Sequence, residues 1–377
     1  MAYHAILSPS GAHRWLRCPG SVLLSKDLPE QSSVFAAEGT AAHALAEKCL
    51  LANCDAVEFV DTEIEGFMVD ADMANHIQFY IDTIRTYAEN NELLVEKALP
   101  IGHITGEEGA TGTSDAVILD MANNEVIICD LKFGKGVEVD AKDNEQMMLY
   151  ALGALEEFGI VMDIERIRMV IIQPRTSRSP SEWAIDVAAL EEWGLWVVKQ
   201  AELTSLATAP LQVGDKQCRF CKAKAICAAA RDEVVQVFDI LSDESDLTSD
   251  MVAQMLPILD RIESYCEAIR TAAETRLLAG DTVPGYKLVK GTKGSRSWTD
   301  TEEVTRIFKE SMRLRDDEMY DSKLISPTTA EKRLSPSRWN KLQDYISQAE
   351  GKPTVVPVDD KREAISFDVS QKFDILI

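Results

Sequence analysis

The sequence predicts a mixed α/β fold, with helices packed against a small mixed β-sheet and a mainly helical region after it. Three observations carry this expectation. The stretch "GATGTSDAVILDMANNEVIICDLKFGKG" reads as two apolar strands joined by an Asn-rich turn. Helical periodicity stands on either side of it, at Ile77, Tyr80, Ile81 and Ile84 and again in "DNEQMMLYALGALEEFG". A further apolar run, "IERIRMVIIQPRT", then supplies another strand. With 377 residues, 46% of them hydrophobic, two domains are expected: residues 1–235, and an accessory region over residues 236–377.

In chain order, Ser8 or Ser10 is placed to cap a short helix that ends before Pro19 and leaves Cys18 at its exit. A helix from about Thr40 sets His43 and Glu47 on one face, four residues apart. Another covers about Asp72 to Asn91. The two strands run about Thr113 to Leu119 and Glu125 to Phe133, and antiparallel pairing brings Asp115 toward Asp130. Gln146 and Tyr150 then share a face of the next helix. After the strands "IERIRMVIIQPRT" and "SEWAIDVA", the helix "LEEWGLWVVKQAELTSL" leads into "QCRFCKAKAIC", and this unit closes near Ala230. The acidic "DILSDESDLTSD" reads as a linker. Pro257 fits a first helical turn, with Ile258, Ile262, Tyr265 and Ile269 as its packing face. "GYKLVKGTKGSRSWTD" reads as a short β element carrying Lys287, Lys290, Lys293 and Arg296, and the tail as short helices with an extended end.

The net charge of -24 argues against a protein that coats nucleic acid, because that affinity rests on Lys and Arg neutralising phosphates. A basic channel on an acidic body remains open. The N-terminus "MAYHAILSPSGAHRW" lacks the basic start and long apolar run of a signal peptide, and no apolar run reaches the roughly 18 to 20 residues of a membrane span. A cytoplasmic, reducing setting is expected, where clustered thiols mean metal or redox chemistry.

The chemistry centres on Asp115, Asp130 and Lys132. Two carboxylates at one edge of a sheet are hard oxygen ligands suited to Mg²⁺ or Mn²⁺, and such an ion polarises a phosphate and acidifies water. Asp130 and Lys132 lie two apart in a strand and so face the same way. The lysine is placed to orient or help deprotonate a nucleophile, or to stabilise developing phosphate charge. His43 is placed to complete the metal shell, Glu47 to hold the histidine or the attacking water, and Gln146 and Tyr150 to support the lysine or contact phosphate. Cys129, on the opposite strand face from Asp130, reads as a small core residue. Cys49, Cys54 and Cys266 have no metal-like spacing.

The ordered set "GTAAH", "GTSDAVI", "DLK" and "QMMLY" resembles the RecB-like nucleases of the PD-(D/E)XK superfamily, over roughly residues 1 to 235. The resemblance implies a restriction-endonuclease-like αβα core, metal binding by His43, Asp115 and Asp130, and catalysis by Lys132 beside Gln146 and Tyr150. The second acid is Asp where Glu is commoner in that family. It also bears on Cys218, Cys221 and Cys227, three cysteines short of a four-ligand site. AddB-type and CRISPR-associated RecB-like exonucleases place one cysteine before the nuclease core and three after it around a [4Fe–4S] cluster. Cys18 would be the fourth ligand here. Zinc would also accept four cysteines.

The function expected is a metal-dependent deoxyribonuclease, an exonuclease on single strands or DNA ends in phage or prophage recombination or replication. The alternative is a catalytically silent DNA-binding protein, or a zinc-stapled scaffold docking on replication or recombination partners. No G-x4-GK[ST] phosphate loop is present, so a helicase, or a single-strand-binding or annealing protein, would be a separate partner. Lys216, Arg219, Lys222 and Lys224 make a basic segment suited to phosphate contact.

Overall fold

A computed structural model describes residues 5–29, 34–136, 138–177, 179–242 and 248–287, with isolated positions beyond. The described chain is mixed α/β, as the strand and helix periodicities predict. Its main elements are α1 (Val34–Ala52), α2 (Ala71–Tyr87), β1 (Glu92–Pro100), β2 (Thr111–Asp120), β3 (Glu125–Leu131), α3 (Glu145–Phe158), β4 (Arg166–Ile172), β5 (Ser181–Asp186), α4 (Val187–Thr204), α5 (Ala228–Ser242) and α6 (Ser249–Leu278). A two-stranded ribbon, Glu63–Ile64 with Phe67–Met68, lies between α1 and α2.

The five long strands form one sheet in chain order, β1-β2-β3-β4-β5. All neighbours are antiparallel except β3 and β4, which run parallel with α3 as the crossover between them. Asp120 fixes the β2–β3 turn: its carboxylate accepts from the Asn123 main-chain N–H (3.1 Å) and side chain (2.8 Å).

Because successive strand side chains alternate, the sheet feeds two cores. One face sends Val117, Val126, Ile128, Ile167 and Met169 toward α3 and α4. The other sends Ala116, Ile118, Ile127, Cys129 and Leu131 toward α1 and α2, where Ile77, Tyr80, Ile81 and Ile84 form the buried stripe of α2. Helices on both faces make the αβα sandwich, and Cys129 is a buried core residue.

The N-terminal segment is wedged against this body. Trp15 is buried and its indole N–H donates to the Ser8 carbonyl (3.1 Å). Neither expected serine caps the short helix Ala12–Trp15. The Ser8 and Ser10 hydroxyls face each other at 3.3 Å, and a 3-10 turn over Pro9–Gly11 leads into the helix instead. Pro9 packs on Gly112: a Cβ there would stand 2.5 Å from the Pro9 ring and 2.9 Å from the Tyr150 ring. Gly112→Ala is therefore expected to destabilise the fold by about 1–3 kcal/mol through overpacking, read as a lower urea midpoint at unchanged slope.

Two other expectations are corrected, and one strand was not foreseen. The helix expected from Thr40 begins at Val34. The stretch Glu92–Pro100, which carries no clear strand pattern, is β1. Pro257 lies well inside α6, because that helix starts earlier: Thr248, read as linker, caps it by accepting the Met251 N–H (3.3 Å). Among the described residues, 281–287 hold a turn and no strand; Lys290, Lys293, Arg296 and the tail lie outside them.

Arg261 anchors α6, pairing with Glu233 on α5 and with Asp215 at 2.7 Å each. The stripe residues Ile258, Ile262 and Tyr265 are only half-buried and Ile269 is exposed. The first compact unit runs through residue 289, taking in α5 and α6 beyond the acidic segment; the second covers residues 290–377.

Candidate active site

The β2–β3 ladder ends at the pair Ala116–Cys129, and the next residue on each strand is an aspartate. Asp115 turns its carboxylate into the gap left by the missing pair. Its Oδ2 accepts the Leu131 main-chain N–H at 2.6 Å, doing what a backbone carbonyl would otherwise do. Its Oδ1 lies 3.1 Å from Nδ1 of His43, which reaches across from α1.

On the other side of Asp115, Val95 of β1 pairs with Ala116 and Lys97 with Ser114, so Glu96 stands opposite Asp115 where the ladder lacks a pair, with φ at +47°. A positive φ at a non-glycine residue is strained, and here the strain falls on the residue that faces the aspartate. His43, Glu96 and Asp115 each offer a ligand atom within 4.8 Å of the others. They line a narrow cavity with Glu47 and Tyr80, and the buried Tyr80 hydroxyl has no hydrogen-bond partner among the described residues.

This donor set fits a hard divalent cation. Octahedral Mg²⁺, with ligands at about 2.1 Å, sets neighbouring ligands roughly 3 Å apart, close to the His43–Asp115 separation. Burial pulls the His43 imidazole down, but the Asp115 hydrogen bond and charge outweigh it and hold its pKa above the ordinary value. Burial, together with the Asp115 charge, pushes the Glu96 carboxyl up to about 7. A cation would relieve both.

Asp130 sits at the end of β3, 3% exposed. Its carboxyl is pushed up by burial and by Asp115, against the opposing pull of Lys132. Lys132 Nζ lies 2.9 Å from Asp130 Oδ2 and donates to Gln146 Oε1 at 2.9 Å. The Gln146 amide in turn donates to Asp130 Oδ1 and to the Tyr150 hydroxyl, both at 3.1 Å. Burial draws the Lys132 ammonium down, yet Asp130 raises its pKa overall, so it stays charged. The sequence-predicted residues thus fall into two adjoining groups: His43, Asp115 and Glu47 on the cavity side, and Asp130, Lys132, Gln146 and Tyr150 beside them. Glu96 was missed because β1 itself was missed.

Between pH 4.5 and 7 the folded state holds a proton on Glu96 that the unfolded chain has lost. Stability therefore falls as pH rises through that window. The raised pKa values of His43 and Asp130 act in the same direction. Without added divalent cation, Tm is expected to drop between pH 5 and 8, and Mn²⁺ should restore it at pH 8 in wild type but much less in Glu96→Gln. Equal rescue of both proteins would remove Glu96 from the site.

The four cysteines also converge. The Gln212 main-chain N–H donates to Cys18 Sγ at 3.2 Å, across 194 residues, and the Gly214 N–H to Cys218 Sγ at 3.4 Å. Gly20 donates its N–H to the Pro210 carbonyl at 3.0 Å; a Cβ on Gly20 would stand 2.6 Å from the Ala209 carbonyl oxygen, so this approach requires glycine. Burial first, and then the neighbouring thiols Cys18 and Cys227, push the Cys218 and Cys221 thiols up. One buried and three half-buried thiols gathered together, two of them accepting main-chain N–H bonds, fit a metal cluster.

A family model described as protein of unknown function (DUF2800) matches residues 4–363. The chain belongs to that family. The matched span takes in every member of this DUF2800 chain's candidate site and cysteine group, together with α6. No helix among the described residues of this DUF2800 protein is long and apolar enough to cross a membrane. The basic residues of its cysteine segment are partly engaged: Lys222 donates to the Leu28 carbonyl (2.9 Å), Lys224 to Ser264 on α6, and the Arg219 guanidinium lies 5.5 Å from the Phe220 ring centre.

Proposed function

We propose that this chain is a metal-dependent DNA nuclease of the RecB-like PD-(D/E)XK kind, acting on single strands or DNA ends, with a [4Fe–4S] cluster on Cys18, Cys218, Cys221 and Cys227. The observation that carries this reading is the meeting, at one sheet edge, of a His43–Glu96–Asp115 cation cage and an Asp130–Lys132–Gln146 relay. The former suits Mg²⁺ or Mn²⁺.

Bound there, a divalent ion would polarise the scissile phosphate and acidify the attacking water. Asp115 and Glu96 would hold it, with His43 as the nitrogen ligand and Asp130 as the adjoining carboxylate. Lys132, kept protonated by Asp130, would present its ammonium to the charge that develops on the phosphate oxygens, which makes it an electrostatic stabiliser rather than a base. Gln146 fixes the ammonium's direction through its own bonds to Asp130 and Tyr150. Glu47, lining the same cavity, stands where it can orient the water.

Anaerobically purified protein should contain about four irons and matching acid-labile sulfide per chain; zinc instead would favour the stapled-scaffold reading. An exonuclease should degrade linear single-stranded DNA and spare a single-stranded circle. Equal loss of both would make it an endonuclease.

A further inference from the structure

Away from the candidate site, a cleft of about 960 Å³ lies between the N-terminal segment, the short helix Gly102–Thr105, α4 and the cysteine segment. Its lining combines three cations, Arg14, Lys26 and Lys222, with the exposed apolar side chains of Ile6 and Phe220. Phe220 is 74% exposed, unusual for a phenylalanine, and leaves a ring face for a planar partner. The Nε of Arg14 is buried without a hydrogen-bond partner. Of the two carboxylates in the lining, Glu107 is occupied by the main-chain N–H groups of Ile6 and Leu7 at 2.8 and 2.7 Å; Glu202 is the other. On a body of net charge -24, a cleft with cations in excess and an open aromatic face is complementary to a polyanion that carries flat, stackable bases.

The cleft shares a wall with the candidate active site. Ser8, Ser10 and Arg14 line it, while Pro9 between them packs on Gly112 and Tyr150 from the other side. Arg17, from the same segment, pairs with Glu145, which precedes Gln146 at the start of α3. A strand lying in the cleft would therefore run alongside the segment that backs the Lys132–Gln146–Tyr150 relay.

We infer that this cleft is the single-strand track of the enzyme, in which Phe220 stacks a base and Arg14, Lys26 and Lys222 hold the flanking phosphates. The inference rests on the nuclease reading above and extends it: duplex DNA has no exposed base face for Phe220, so the track selects single strands.

The test is binding of a fluorescein-labelled oligothymidylate, about 20 nucleotides long, by cluster-loaded full-length protein without divalent cation, in a salt titration. Phe220→Ala and Lys26→Glu are each expected to weaken binding about tenfold, and Lys26→Glu to lower the salt slope by about one. Phe220 adjoins Cys221, so iron and sulfide content are measured on each variant. As a readout that needs no variant, a bromodeoxyuridine oligonucleotide irradiated on wild type should crosslink to peptides containing Phe220 or Ile6. Wild-type affinity in both variants, or crosslinks only elsewhere, overturns the track while a cleaving wild type keeps the nuclease reading. A wild type that binds the oligonucleotide in the cleft without cleaving DNA keeps the track and overturns the nuclease. A wild type that neither binds nor cleaves DNA overturns both.

Discussion

Lys132→Ala is expected to lower DNA cleavage by at least about a hundred- to a thousandfold, the usual cost of removing one preorganised stabiliser of transition-state charge. The loss should fall on kcat, because the ammonium acts where charge develops. It should not be a folding defect. Lys132 lies at the end of β3 with part of its side chain open to solvent, so its removal leaves no cavity in either core. It does strip Asp130 of its ion pair, which raises the Asp130 pKa further and weakens cation binding, so excess Mn²⁺ should recover a small part of the activity. Gln146→Ala is expected to give a milder loss, since it only releases the ammonium's direction. If Gln146→Ala were the more damaging of the two, Lys132 would not be the catalytic group.

Cys18→Ala is expected to lose the cluster and most of the fold's resistance to unfolding. A bond network joining Cys18 to Cys218 closes a loop of roughly 200 residues, and the chain-entropy account of such closure gives about 5 kcal/mol, comparable to the whole stability of many domains. The damage should also reach the catalytic edge. The segment carrying Cys18 also carries Arg17, paired with Glu145, and Pro9, packed on Gly112 and Tyr150. Loss of the cluster therefore loosens the wall behind Gln146. The expected readouts are a colourless protein, a lower Tm, and proteolytic cleavage near the N-terminus; Lys132→Ala should show none of these. Full iron content in Cys18→Ala would remove that residue from the ligand set.

The parts of this architecture that were legible in the sequence are those written in local chemistry. β2 and β3 declare themselves by apolar residues flanking an Asn-rich turn, and the aspartates stand out because they interrupt those runs. α2 shows its stripe because the spacing of Ile77, Ile81 and Ile84 is that of one helix face. β1 was illegible for the opposite reason. "ELLVEKALP" is built mostly from good helix formers and is half-buried on both faces, so neither propensity nor alternation marks it, and tertiary pairing with β2 decides its state. Glu96 went unseen with it, since its role depends on standing opposite Asp115, which only the pairing register reveals. The gathering of Cys18 with the distant trio could not be read from spacing either. It depends on Gly20 meeting the Ala209–Pro210 main chain, a contact between segments almost 200 residues apart. The start of α6 was misplaced because Thr248 belongs to an acidic stretch whose composition suggests a linker while its hydroxyl serves as a cap.

The central claim is that the Asp115–Asp130–Lys132 edge hydrolyses DNA with a divalent cation. Its most direct test is incubation of end-labelled single- and double-stranded DNA with anaerobically purified, iron-loaded wild type and Lys132→Ala, with Mg²⁺, with Mn²⁺ and with neither. The account predicts cleavage by wild type alone, dependent on the added cation, with a product ladder that starts from an end. Intact DNA with the folded, iron-loaded wild type, or equal cleavage by both proteins, would contradict it.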